Sequence, residues 1–315
     1  MSRVVTLGEP MVMFVADEPG PLELANHYTR YIAGAELNVS IGLRRLGHEV
    51  IYITRLGEDP LGRYIHNFLG DAGVDTSAIT FDMHHSTGFQ LKSRALHEDP
   101  EVVYFRKNSA ASHLTADALE RIDFTKVNHV HITGIPLAIS DESREVTFAL
   151  IERAKAANVF LTFDPNLRPS LWSSHVNMVS TVNKAASLCD IVLPGIEEGH
   201  LLTGLSGEKE IAHFYHGLGV KGVVVKLGPM GAYIDYNNEQ GYVPGFPIND
   251  IVDTVGAGDG FAVGVISGLV NGLCIQDAVL EANAIGAMQV MVRGDNEGLP
   301  TRTTLNTFLQ EHAAH

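Results

Sequence analysis

The chain has 315 residues, 45% of them hydrophobic and 19% charged, an ordinary globular composition with length enough for one large domain or two small ones. Its 22 Lys and Arg against 37 Asp and Glu leave a net charge of −15. That argues against non-specific binding to nucleic acid or an anionic membrane, and it means that an anionic substrate needs a local basic cluster. Cys189 and Cys274 are too few for a disulfide scaffold and lie at no metal or redox spacing. The first ten residues do not read as a signal peptide and no apolar run approaches the ~20 residues of a membrane helix, so a soluble cytoplasmic protein is expected.

In chain order, short apolar strands are expected at 4–7 and 11–15, followed by a turn at 17–21. Leu37 and Ile41 stand at helical spacing, followed by Arg44 and Arg45, and Gly47 is a stop. Residues 50–54 read as a strand, 55–62 as a loop and 63–71 as a helix. Residues 89–94 and 102–106 alternate with period two around Asp99-Pro100, the pattern of a half-exposed hairpin. Beyond 127, strands at 130–133, 159–164, 191–193 and 222–226 alternate with helices at 141–157, 179–188, 197–203 and 211–218. Such alternation makes a mostly parallel sheet with helices on both faces. An antiparallel pair is expected at 231–236 and 241–244, then helices at 258–272, 275–292 and 303–312. No internal repeat or low-complexity segment is present.

Ligands of open parallel sheets bind beyond the carboxyl ends of the strands. The loops there include Gly8-Glu9, Gly134-Ile135-Pro136, Asp164-Pro165-Asn166-Leu167-Arg168, Pro194-Gly195 and Lys226-Leu227-Gly228, and they are expected to converge on one crevice. The segment Asp253-Thr254-Val255-Gly256-Ala257-Gly258-Asp259-Gly260 precedes a small, apolar helix. A glycine-rich turn that feeds a helix N-terminus aims free N–H groups at one point and makes an anion site. A carboxylate inside such a site, Asp259, is unfavourable unless it has a task such as accepting a proton; the plain alternative is a helix-capping Asp. There is no P-loop motif and no protein-kinase signature, the glycines at 256, 258 and 260 do not give G-x-G-x-x-G because Phe261 follows Gly260, and no Cys/His cluster has zinc spacing. Structural roles are expected for His84, His85, His129 and His131.

Gly34-Ala35-Glu36-Leu37-Asn38 near the start and Asp253 to Asp259 near the end resemble the paired signatures of the PfkB (ribokinase-like) family of sugar kinases, and similar loops fall at 57–62, 164–168 and 226–231. The resemblance runs the length of the chain. It implies a three-layer α/β/α core with a mostly parallel sheet, one domain over residues 1–315, and a small β lid built from about 11–32 and 87–107. It further implies ATP, Mg2+ and phosphoryl transfer to a sugar hydroxyl. The N–H groups of Gly256, Ala257 and Gly258 would hold phosphoryl oxygens and Asp259 would take the hydroxyl proton.

Within the family the chain is similar to kinases of sugar acids such as 2-keto-3-deoxygluconate. That likeness implies acceptor contacts at Gly34, Asn38, Phe89, Tyr104, Arg106, Ile135, Arg168, Asp259 and Asp295. Arginine is the natural clamp for the carboxylate. It implies nucleotide contacts at Asn166, Arg168, Lys226, Gly228, Gly231, Gly256, Ala257, Gly258 and Asn283. Two departures stand out: Phe89 where Tyr is frequent, and Gly195 where the family often has Asn, with Glu198 three residues on as the metal-linked carboxylate. The alternatives are a neutral-sugar (fructose- or ribose-type) kinase and a non-catalytic sugar or nucleotide sensor. A lid with exposed edges implies self-association as a homodimer or higher oligomer.

Overall fold

The computed structural model describes residues 2–94 and 100–312. Its elements are β1 (Arg3–Leu7), β2 (Met11–Pro19), β3 (Tyr28–Ala33), α1 (Ala35–Arg45), β4 (Glu49–Gly57), α2 (Pro60–Asp71), β5 (Ile79–Asp82), β6 (Phe89–Arg94), β7 (Val102–Phe105), β8 (His129–Thr133), α3 (Ile135–Ile139), α4 (Asp141–Ala156) and β9 (Phe160–Asp164). They continue with α5 (His175–Ala186), β10 (Ile191–Val192), α6 (Ile196–Thr203), α7 (Glu208–Gly217), β11 (Gly222–Lys226), β12 (Gly231–Tyr236), β13 (Glu239–Pro244), α8 (Ala257–Val270), α9 (Ile275–Val290) and α10 (Arg302–His312). No helix among the described residues is long and apolar enough to cross a membrane.

Nine strands form one sheet in the order β13-β12-β11-β10-β9-β8-β1-β4-β5. Every pairing from β5 to β11 is parallel, and β12 is antiparallel to both its neighbours. The unbroken apolar runs explain this, because a parallel strand is covered on both faces. Val5, Ile53, Ile132 and Phe163 pack with α4, α5 and α7 on one side. Val4, Tyr52, Leu193 and Val224 pack with α1, α2, α8, α9 and α10 on the other. The result is the expected three-layer α/β/α core.

A second, four-stranded sheet has the order β3-β2-β6-β7. Its central pairing, β2 with β6, is parallel, and the outer two are antiparallel. The period-two alternation separates its faces: Phe89 stacks on Phe105 at 4.6 Å and meets Phe14 at 6.1 Å, while Gln90 and Tyr104, paired across β6 and β7, point the other way. The turn of this hairpin at Asp99 lies outside the described residues.

Several boundaries differ from the sequence expectation because of pairing. Residues 17–19, expected as a turn, continue β2, with Asp17 N–H donating to His27 O at 3.0 Å. Residues 55–57, expected as loop, continue β4 against the unforeseen β5. Helix α2 starts three residues early, at Pro60, where Asp59 caps the N–H of Gly62 at 2.8 Å. Ile135-Pro136, expected as loop, opens the short helix α3. His129 and His131 are buried and share Thr162 Oγ1 at 2.8 and 2.9 Å. Burial lowers both imidazole pKa values to about 3, so their role is structural, as expected.

Helices α8 and α9 approach closely at Gly264, where an added Cβ would overlap the backbone of Ala282. Gly264→Ala should therefore destabilise the fold by ~2 kcal/mol and lower the melting temperature by ~5 °C; an unchanged Tm would refute this reading. Glu36 on α1 is fully buried, its Oε1 bonded to Thr133 Oγ1 and its Oε2 without a partner. Burial raises its pKa to about 7. The neutral form is thus favoured in the fold, and stability present below the ordinary carboxylate range is lost as pH rises to about 7, by an amount on the order of 3 kcal/mol. Thermal melts at pH 5 and pH 8 should show a smaller acid-to-neutral drop for Glu36→Gln than for the parent; equal drops would sink the idea.

Candidate functional site

From β1 the chain turns to β4 and β5 on one side and returns to β8 through β11 on the other. The switch point lies between β1 and β8, and a crevice is required there. A cleft of about 650 Å³ occupies this end of the sheet. Glu9, Ile135, Asn166, Arg168 and Lys226 reach it from loops or strand ends of the main sheet, and Met13, Gln90, Lys92, Tyr104 and Arg106 from the small sheet. Gly34 and Asn38 at the start of α1, the turn before α8 and Asp295 close it. The strand-end loops converge as the sequence implied. A separate cavity of about 460 Å³, beside His129, Phe160 and Tyr236, lies at the opposite end of the strands.

Asp259 sits in the first turn of α8, behind Gly256. Gly256 has φ +77°, and an added Cβ would overlap the Asp295 carbonyl, so both its conformation and its packing require glycine. Asn38 Nδ2 donates to Asp259 Oδ2 at 2.8 Å, and Asn166 Nδ2 donates to Oδ1 at 3.1 Å. The carboxylate is thereby fixed from two sides. Burial raises its pKa against the Asn38 hydrogen bond, and nearby Asp164 adds to the rise. A carboxylate of raised pKa is a better proton acceptor than an exposed one. The first turn of α8 leaves N–H groups without intrahelical acceptors, and a Cβ at Gly258 would stand 3.8 Å from Lys226 Nζ. Helix dipole and ammonium together favour an anion there.

The cleft's charges are largely paired. Lys226 Nζ donates to Asp164 at 2.7 Å and lies 3.9 Å from Glu198. Burial opposes its charge, but Asp164 and Glu198 outweigh burial and raise its pKa. Arg106 is buried and donates Nε to Glu9 at 2.7 Å, and Ser109 Oγ also donates to Glu9. Lys92 pairs with Asp253 at 3.0 Å. Arg168 has no acidic partner among the described residues; it is exposed and donates to Leu167 O at 2.9 Å. Asp295 is 5% exposed and its Oδ1 has no partner. Burial raises its pKa to about 7, with Lys92 pulling it down. A carboxyl near half-protonation can donate or accept to a sugar hydroxyl.

Some expected contacts fall elsewhere. Phe89 is not at the cleft: strand alternation turns it to the far face, against Phe14 and Phe105, and Gln90 takes the inward place. Asn283 lies outside the cleft lining and donates Nδ2 to the carbonyls of Val243 and Pro244 at 3.1 and 3.0 Å, tying α9 to β13. Gly231 is required by the Val243 carbonyl, which an added Cβ would overlap, whereas Gly228 has open space around it. Glu198 accepts N–H from Gly195 at 2.8 Å and from Leu167 at 2.7 Å, so with Gly195 in place this carboxylate holds two loops. Among the described residues no three His, Cys, Asp or Glu side chains could hold a metal ion together. Ala257 N–H donates weakly to Thr254 O at 3.4 Å.

Glu9, Gln90, Lys92, Asp164 and Asp253 are cleft-related residues that sequence reasoning did not single out as contacts. For Gln90 and Lys92 the signal was available in the period-two pattern around Phe89. Glu9 had only its place after a strand to mark it.

Residues 1–302 match the model of the pfkB family carbohydrate kinases. A 2-dehydro-3-deoxygluconokinase of Bacillus subtilis (strain 168) is 46% identical over 306 residues, covering 97% of this chain and 94% of that protein. The crystal structure of a PfkB protein from Polaromonas sp. JS666 superposes with a TM-score of 0.88 at 44% identity, covering 97% and 99% of the two chains. A candidate ribokinase II from E. coli, in complex with ATP and Mg2+, superposes with a TM-score of 0.89 at 29% identity, covering 99% and 100%. The chain belongs to the pfkB family of carbohydrate kinases.

Proposed function

We propose that this kinase transfers the γ-phosphoryl group of ATP to the terminal hydroxyl of 2-keto-3-deoxygluconate, giving the 6-phosphate. The observation that carries the reading is Asp259, held by Asn38 and Asn166 at a helix N-terminus beside Lys226. It is joined by the 46% identity to a 2-dehydro-3-deoxygluconokinase. Asp259 takes the proton of the acceptor hydroxyl as its oxygen forms the new bond to phosphorus. The bond from phosphorus to the β–γ bridging oxygen breaks, and ADP leaves. The turn at Gly256–Gly258 and Lys226 stabilise the charge on the transferring group. Mg2+ neutralises phosphate charge when it accompanies ATP. The acidic side chains here suit a hydrated ion carried by the phosphates better than a protein cage, with Glu198 as the carboxylate it would meet.

Acceptor selection follows from the charge pairing. Arg106 already faces buried Glu9, so its remaining N–H groups orient the acceptor while its net charge is compensated. Arg168 brings a guanidinium without an acidic partner among the described residues, and it suits the substrate carboxylate. Asp295, Gln90 and Tyr104 serve hydroxyls. The small sheet acts as a lid. Its outer strands β3 and β7 leave edges that support the expected self-association.

Asp259→Asn should reduce kcat by about 10³-fold or more while nucleotide affinity stays within a few-fold; near-normal turnover would end the base assignment. Arg168→Ala should raise KM for 2-keto-3-deoxygluconate about tenfold or more. Its effect on a neutral sugar, measured on the same panel, should be much smaller. Equal effects on acid and neutral acceptors would remove Arg168 from carboxylate recognition, and a preference of the parent for fructose or ribose would overturn the sugar-acid reading.

A further inference from the structure

The segment leading into α8 has few ties of its own. Residues 245–254 form neither helix nor strand. The N–H groups of Val252 and Asp253 both reach the carbonyl of Val290, at 2.8 and 3.3 Å. Two side chains then fix the end next to Gly256. From the core, fully buried Gln289 on α9 donates Nε2 to Gly294 O at 2.7 Å and to Val255 O at 3.4 Å. From across the cleft, Lys92 on β6 donates to Asp253 Oδ2 at 3.0 Å.

The other oxygen of that carboxylate, Asp253 Oδ1, accepts the N–H of Val255 at 3.2 Å. One carboxylate therefore joins a strand of the small sheet to the peptide unit just before Gly256. The side chains of Lys92 and Asp253 are only 9% and 16% exposed, so water and salt screen the pair weakly, unlike an ion pair on the surface. Removing one partner leaves a buried charge uncompensated. The Arg106–Glu9 pair also joins the small sheet to the core, but it ends on the loop after β1, away from the turn that faces phosphate.

We propose that Lys92 is a positioning residue for phosphoryl transfer. Its ammonium, through Asp253, aligns the N–H groups of the turn before α8 when the small sheet lies over the cleft. Closure over the acceptor and assembly of the phosphoryl site are then one event, which disfavours transfer to water when no acceptor is present. This rests on the kinase reading above and adds to it a coupling between the two halves of the cleft.

The test is a double-mutant cycle in the full chain: parent, Lys92→Met, Asp253→Asn and the double variant, each assayed with ATP and the sugar that the parent uses best. Each single change should lower kcat about tenfold or more, and the double variant should be no worse than the weaker single. ATP affinity without sugar should change less than about threefold, and Lys92→Arg should keep kcat within about threefold of the parent. ATP hydrolysis without sugar should rise relative to sugar phosphorylation in Lys92→Met. Single effects that multiply in the double variant would overturn the coupling. So would a parent-like kcat in Lys92→Met, or a loss of ATP affinity as large as the loss of kcat. Circular dichroism and thermal melts report folding. If Lys92→Met does not fold, Lys92→Arg and Asp253→Asn decide: retention in the first with loss in the second supports the proposal, and any other pairing overturns it. A parent that prefers another sugar overturns the substrate reading alone, because the cycle is then read with that sugar.

Discussion

The site is governed by the difficulty of keeping several carboxylates together around one cleft. Glu9, Glu198, Asp253, Asp259 and Asp295 line the cleft and Asp164 pairs with Lys226, which also lines it, in a chain whose net charge is already −15. Each carboxylate is compensated in its own way. Glu9 faces Arg106, Asp164 faces Lys226 and Asp253 faces Lys92. Glu198 accepts two backbone N–H groups, Asp259 accepts two amides, and Asp295 approaches neutrality through burial. Because the counter-charges come from different strands, neutralising the carboxylates also assembles the cleft.

That arrangement explains why the fold brings its far ends together. Asn38 lies in the first turns of α1 and Asp259 in the first turn of α8, yet both helices cover the same face of the sheet and meet above the switch point. Asn296 extends the link, donating Nδ2 to Asn38 Oδ1 and to the carbonyl of Ile32 at 3.2 Å each. The Asp259 carboxylate, the start of α1 and the small sheet thus share one hydrogen-bonded chain.

Much of this was legible in the residues. The continuous apolar runs announced the parallel strands, and the glycine-rich turn before an apolar helix announced the start of α8 that lines the cleft. The paired signatures at 34–38 and 253–259 gave the family. Pairing partners were illegible: β5 is recognisable only once β4 is seen to extend beside it, and Asp17–Pro19 reads as a turn until His27 and Arg94 of β6 lie alongside. Phe89 was misassigned for a related reason. Motif position says that a residue belongs to the lid, but only strand register says which face it occupies. The compensations were the least visible, since Arg106–Glu9 and Lys92–Asp253 join residues far apart in sequence that carry no mutual pattern. Asn283 illustrates another such tie, since its bonds to the carbonyls of Val243 and Pro244 join α9 to β13 across about 40 residues of sequence.

The strand order also has a bearing on how the molecule comes to be folded. Strand β1 lies inside the main sheet, yet its partner β8 follows about 125 residues later, with Arg3 N–H reaching Asn128 Oδ1. The central strand of the small sheet is in a similar position, because Val12 of β2 pairs with Phe89 of β6. Both sheets are therefore closed by contacts of long sequence separation, which form slowly because loop-closure entropy must be overcome first. A nascent chain that has emerged only as far as β5 holds β1 and β2 with open edges, exposed to wrong pairings until β6 and β8 arrive. The topology that creates the crevice at the β1–β8 junction also makes it among the last parts of the molecule to be completed.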